Sequence, residues 1–203
     1  MNLQQIFEEL LVKNNFPKEN ISARWAELQK AYSHKSRQYH NLTHLEEMIF
    51  WFEKYKDEIQ FPDEVLYAIF YHDYVYNSTR KDNEQKSADY AIKILPQDTT
   101  VNKERIHQLI MVTKTHQPTA NEDEKWMIDF DLKILSKDWD EYVTYYKQIR
   151  KEYSIYPDFL YNPARKKALE HFLENKHIYQ TETFRSLYED KARTSIQKEI
   201  SLL

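Results

Sequence analysis

The chain contains no glycine and no cysteine in 203 residues. The lack of glycine excludes a glycine-rich phosphate loop, a dinucleotide-binding turn and a glycine-hinged hairpin in their usual forms. A phosphate would have to be held by side chains and a metal instead. The lack of cysteine excludes disulfides, thiolate ligands and a cysteine nucleophile, and fits a reducing compartment. No apolar run is long enough to span a bilayer. Met1 to Ile6 leads into an amphipathic pattern, not a signal peptide, so a cytoplasmic protein with no membrane partner is expected. The net charge is −4 with both signs scattered, which leaves no basic footprint for nucleic acid. No stretch alternates polar and apolar residues with period two, so essentially no sheet is expected.

The apolar residues recur instead at three- and four-residue spacing. Leu3, Ile6, Phe7, Leu10 and Leu11 form one helical stripe, and Trp25, Leu28 and Tyr32 a second. Further stripes run from Leu45 to Phe52, from Val65 to Phe70 with Pro62 at a tolerated first-turn position, and from Tyr90 to Ile94. Residues 103 to 116 read as one helix with Ile106, Thr113 and His116 on its inward stripe. Three helices follow after residue 140, separated at Pro157 and Pro163. The expected fold is all-α and a single domain over residues 1–203, with a core at about 30–140 and C-terminal helices over 141–203 packed on it. The 16 Tyr and 10 Phe suggest an aromatic interior whose hydroxyls line a cavity.

Ionisable residues within this apolar pattern are the candidates for chemistry. His72 and Asp73 sit inside the run Ala68 to Tyr76, and burying an imidazole beside a carboxylate is costly unless something pairs with both. A divalent cation does so. His40 and His44 are four apart and stand on one face if the segment is helical, although Asn41 and Thr43 are also helix-start residues. Asp131 has only apolar neighbours three and four positions away and reads as a buried carboxylate. Asp129 points elsewhere and reads as solvated or capping. Two imidazoles and two carboxylates suit Mn, Fe, Zn or a similar divalent ion (Ni, Co or Mg) better than Ca²⁺.

The order His44, His72-Asp73, Asp131, all on helices, resembles the HD-domain superfamily of metal-dependent phosphohydrolases. Tyr39-His40-Asn41-x-x-His44 is similar to the motif of the cyclic-nucleotide phosphodiesterases in that superfamily. Arg37 to His44, Phe70 to Tyr76, Asn83-Glu84-x-x-Ser87-Ala88, Thr113-x-x-His116, Asp129-x-Asp131-Leu132, Arg150-x-Glu152-Tyr153 and Ala192-Arg193 resemble a bacterial group of HD phosphohydrolases of unassigned substrate. The resemblance implies an HD-like helical bundle with additional C-terminal helices. It also implies His44, His72, Asp73 and Asp131 as metal ligands and His40 as general acid. The implied reaction is hydrolysis of a phosphoester or phosphoanhydride of a small phosphorylated molecule, expected to be a nucleotide, by metal-activated water. In that frame Glu84 is expected to orient the water, and Arg37 and His116, with Thr113 beside them, to bind phosphate oxygens. Two-metal members of the superfamily use two further His between the doublet and the final Asp, whereas here only His116 lies on the right face, which leaves the number of ions, one or two, open. Two other classes share these features: a di-iron oxygenase of the same fold, and a non-catalytic nucleotide-binding or regulatory module. The sequence carries no cue to the oligomeric state beyond admitting a homodimer.

Overall fold

The computed structural model describes residues 2–117 and 119–203. Among the described residues there are ten α-helices, three short 3₁₀ turns and no strand. The helices are α1 (Leu3–Lys13), α2 (Lys18–Tyr32), α3 (Leu42–Tyr55), α4 (Pro62–Tyr71), α5 (Asn83–Lys93), α6 (Lys103–Met111), α7 (Glu122–Leu132), α8 (Trp139–Glu152), α9 (Asp158–Glu174) and α10 (Glu182–Ile200). The all-α architecture is therefore the one the hydrophobic periodicity dictates.

The absence of glycine is solved locally at the end of α1. Asn15 takes the left-handed conformation at φ 62°. Phe16 N–H then bonds Leu11 C=O at 3.1 Å, and Asn15 N–H bonds Val12 C=O at 3.2 Å, which satisfies two orphan carbonyls. Helix starts use side-chain caps: Asn2, Asn41, Asn102 and Asn121 each accept from a first-turn N–H.

Helix α4 is the centre of the bundle. Every residue from Glu64 to Tyr71 is buried, so the helix is apolar all round apart from Glu64. That carboxylate is matched by Arg105 and by the Asn102 N–H, so no buried charge is left unpaired. Full burial of residues such as Ile69 and Phe70 contributes roughly 1.5–3 kcal/mol each. Packing on all sides fixes the direction in which the C-terminal end of α4 points, and that end carries the His-Asp doublet.

Several element boundaries differ from expectation. α4 ends at Tyr71, so His72 and Asp73 lie in the turn after the helix and not within it. α3 starts at Leu42, with Asn41 as its cap, so His40 precedes the helix that carries His44. α6 stops at Met111 and passes through a 3₁₀ turn, Val112–Lys114, to His116, which is left-handed at φ 52°. Pro163 lies inside α9 instead of ending it.

The C-terminal helices are attached by buried carboxylates. Asp129 is fully buried and accepts from Gln180 N–H (2.6 Å), Thr181 N–H (2.8 Å) and Thr181 Oγ1 (2.6 Å). Glu189, on α10 itself, accepts from the Ile178 and Tyr179 N–H groups and holds the segment before α10 against that helix. Of the two expected roles for Asp129, solvated or capping, the solvated one is corrected here, because the side chain is fully buried. A partner segment arriving from 50 residues downstream supplies the donors, and spacing along one helix cannot reveal it. Burial pushes the Asp129 pKa up to about 7, against three donors that favour the carboxylate.

Candidate metal centre

Three helices deliver two imidazoles and two carboxylates to one point. The first turn of α3 supplies His44, the end of α4 supplies His72 and Asp73, and the last turn of α7 supplies Asp131. His44 Nε2 lies 3.2 Å from Asp131 Oδ1. His72 Nε2 lies 3.2 Å from Asp73 Oδ2 and 4.0 Å from Asp131 Oδ1. One ligand atom from each of His44, His72 and Asp131 falls within 4.8 Å of the others, a group able to hold a metal ion. Asp131 is less enclosed than expected, with 15% of its side chain exposed, but it faces the cluster.

The decisive feature is the state of the two ring nitrogens. Nε2 of His44 and Nε2 of His72 are buried and have no hydrogen-bond partner. The carboxylate oxygens beside them are close but not aligned as acceptors. In His72, Nδ1 lies 2.9 Å from the Ile69 carbonyl, which only accepts, so Nδ1 carries the hydrogen. In the neutral ring Nε2 is therefore a bare lone pair facing two carboxylates, an arrangement that calls for a cation. Protons answer this demand in part. Burial disfavours the His72 imidazolium, but Asp73 and Asp131 outweigh it and push the pKa up to about 9. The same charges hold both carboxylates low. Burial raises each of them, but His72 and His40 pull Asp73 well below the carboxylate range, and His116 and His44 do the same for Asp131. Two nitrogens and the Asp131 carboxylate form a borderline donor set that suits a first-row divalent ion, and Asp73 lies beside His72 outside that group of three.

His116 serves Asp131. Its Nε2 bonds Asp131 Oδ2 at 2.8 Å, so one carboxylate oxygen is fixed from outside while the other faces His44. Its left-handed backbone costs an L-residue roughly 1–2 kcal/mol. His116 is thus placed as an orienting group, where substrate binding was expected. Arg37 also departs from expectation. Its guanidinium donates to the carbonyls of His40 (3.2 Å), Asp73 (2.7 Å) and Tyr74 (2.8 Å), and is committed to holding the two loops that present His40 and Asp73. Thr113 is buried, with Oγ1 donating to Ile110 C=O, and cannot face a substrate. Glu84 stands half-buried in the first turn of α5, and no hydrogen bond among the described residues ties it to the cluster.

His40 stands at the edge of the cluster with 21% of its side chain exposed and Nε2 4.0 Å from Asp73 Oδ2. Its ring stacks on Tyr76 at 4.3 Å, so it is not free of apolar contact. Behind it lies a residue to which sequence reasoning gave no role. The Glu152 side chain is fully enclosed and bonds His40 Nδ1 at 2.6 Å. It also accepts from the N–H groups of Gln38, Tyr39 and His40 and from Tyr76 Oη. Burial raises the Glu152 pKa, but His40 and Tyr76 bring it down to about 2. Burial likewise opposes the His40 imidazolium, but Asp73 and Glu152 outweigh it and raise its pKa. The available signal was that Glu152 continues the inward stripe of Tyr142, Tyr145 and Ile149 on α8.

Compared with family models, curated proteins and solved structures, the chain matches none.

Proposed function

We propose that this chain is a metal-dependent phosphohydrolase acting on a small phosphorylated molecule. The observation that carries the reading is the pair of buried, unpartnered Nε2 atoms of His44 and His72 turned toward Asp73 and Asp131. His44, His72, Asp73 and Asp131 would hold a divalent ion, in keeping with the HD-type order of these residues along the chain. Such an ion supplies Lewis acidity toward a phosphoryl oxygen and lowers the pKa of bound water.

The remaining groups have separate duties. His116 fixes the rotamer of Asp131. The Ile69 carbonyl fixes the tautomer of His72 and leaves Nε2 free for coordination. Glu152 accepts the Nδ1 hydrogen of His40, so the proton available for transfer sits on Nε2, the nitrogen nearest the cluster. Asp73 and Glu152 raise the His40 pKa and so favour its imidazolium, the form that protonates a leaving oxygen. The stacked Tyr76 ring and the committed Arg37 keep this imidazole in place.

The test is a panel of phosphomonoesters, phosphodiesters and nucleotides offered to protein stripped with chelator and reloaded with Mn, Fe, Co, Ni or Zn. Phosphate release that appears only on reloading is expected. Oxygen consumption by the iron-loaded form without phosphate release would replace this reading with the oxygenase class.

A further inference from the structure

We propose that the cleft between α8 and α9 beside His40 binds the base of a nucleotide substrate, and that this base carries a ring carbonyl. The inference rests on the phosphohydrolase reading for the reaction, but the cleft is argued from its own walls. A cavity of about 330 Å³ lies here, lined by His40, Tyr145, Tyr153, Tyr161, Arg165 and Ala168. That volume is at the lower end of the range for small-molecule sites. His40 forms one wall of the cavity while its Nε2 faces Asp73, so a group lodged in the cleft sits next to the proton donor and directs its attached phosphate toward the cluster.

Helix α9 shapes the cleft. Tyr161, Arg165, Ala168 and Phe172 share one helical face. Phe172 approaches His116 with ring centroids 5.9 Å apart, so the same face reaches the other end of the cluster. Ala168, one turn before Phe172, leaves the space that a larger side chain would fill. The walls are aromatic: Tyr153 and Tyr161 lie 6.0 Å apart at 48°, and Tyr145 meets Tyr39 edge-on. Such rings favour a planar heterocycle by stacking.

The polar group in the cleft selects the kind of heterocycle. Arg165 Nε and Nη2 bond the carboxylate of Glu199 at 2.8 and 3.1 Å, and Nη2 reaches Tyr145 Oη at 3.4 Å. Nη1 has no hydrogen-bond partner among the described residues. The guanidinium charge is balanced by a buried carboxylate, so Arg165 is not a free clamp for phosphate. What remains is an N–H pair that can only donate. It accommodates a carbonyl oxygen and is mismatched to an exocyclic amine at the same position, the logic by which arginine reads guanine and not adenine. A neighbouring cavity of about 230 Å³ beside His44 carries Glu47 and Glu141 on its wall and is unsuited to an anionic substrate.

Inosine and adenosine differ only at C6 and the adjoining N1, a carbonyl beside an N–H against an amine beside a bare nitrogen, and neither has a phosphate to hydrolyse. Calorimetric titration of the manganese-loaded full chain with each nucleoside tests the proposal. Inosine is expected to bind at least about tenfold more tightly than adenosine, the usual scale for one hydrogen bond from a charged donor. Ala168→Phe and, independently, Ala164→Phe, both on the α9 wall of the cleft, are expected to weaken inosine at least about tenfold, with thermal melting confirming that each is folded. Adenosine binding as tightly as inosine, no inosine binding at all, or inosine binding unchanged in both folded variants overturns the assignment. If inosine binds as expected while no phosphoester is hydrolysed, the cleft stands and the hydrolase reading fails. If phosphoesters are hydrolysed while inosine does not bind, the reverse holds.

Discussion

His40 Nδ1 lies 2.6 Å from Glu152 Oε2, across 112 residues of sequence, and the carboxylate also gathers the backbone N–H groups of the loop that carries His40. One side chain therefore holds the loop and the ring orientation, and with Asp73 it favours the charged imidazole. Glu152→Gln keeps the shape but weakens the hold on the imidazolium. Turnover of an ordinary phosphoester is expected to fall by roughly tenfold or more, within the scale of general-acid effects. The alkaline limb of the kcat profile should move to lower pH, because the His40 pKa is no longer raised by Glu152. An unshifted limb with reduced kcat would assign Glu152 a purely structural part.

The same carboxylate has a pH signature in folding. Its pKa falls from an ordinary 4.5 to about 2 in the folded chain. A depressed carboxylate contributes stability that is fully present above its unfolded value and is lost as pH falls toward the folded one. Acid melts of the wild type should lose stability between about pH 4.5 and pH 2, and Glu152→Gln should flatten that part of the curve. Parallel curves for the two proteins would contradict the assignment.

Asp129 and Asp131 are two residues apart and should fail differently. Asp129→Ala leaves two N–H groups and the Thr181 hydroxyl unpaired in a buried setting, at a cost of roughly 3 kcal/mol or more. Its folded fraction should still hold metal. Asp131→Ala should lose metal. Chemical denaturation with metal analysis of the folded protein separates them, and metal loss with a stability cost confined to Asp129→Ala would exchange their roles.

The helical bundle was legible because hydrophobic period depends only on neighbours along the chain. His72 and Asp131 were legible as well, since an imidazole or carboxylate set among apolar neighbours needs a partner wherever the fold carries it, whereas His44 was legible only from its four-residue spacing to His40 and from the family resemblance. Two kinds of information were not legible. Asp129 was misjudged because its donors come from Gln180 and Thr181, and the neighbours within its own helix, Lys125 and Lys133 among them, suggested solvent. Arg37 shows only its charge in the sequence, which suggests a phosphate ligand, and the carbonyls of Asp73 and Tyr74 that occupy it come from a distant loop. Helix ends shifted at His40 and His116 for a related reason: each is held by a distant carboxylate, Glu152 or Asp131, just outside the regular helix, where period carries no signal.

Metal should couple to folding, because it binds a site that the unfolded chain does not possess. At a free ion concentration about 100 times Kd the gain is about 2.7 kcal/mol. For a chain of this size that corresponds to a rise in Tm of roughly 5–10 °C. Calorimetry of stripped and reloaded protein measures it, and the rise should vanish in Asp131→Ala. A rise of equal size in that variant would place the ion elsewhere.

The central claim is that His44 holds a metal and His40 donates a proton, although the two rings are only 6.0 Å apart. Metal content and kcat measured together on His40→Ala and His44→Ala test it most directly, with one nitrophenyl ester and one ordinary phosphoester as substrates. His44→Ala is expected to lose metal and activity together. His40→Ala is expected to keep its metal and lose turnover of the ordinary ester by roughly 10²–10⁴-fold, with a much smaller loss on the nitrophenyl ester, whose leaving group needs no proton. Loss of metal from His40→Ala, or full activity of His40→Ala on the ordinary ester, would contradict the account.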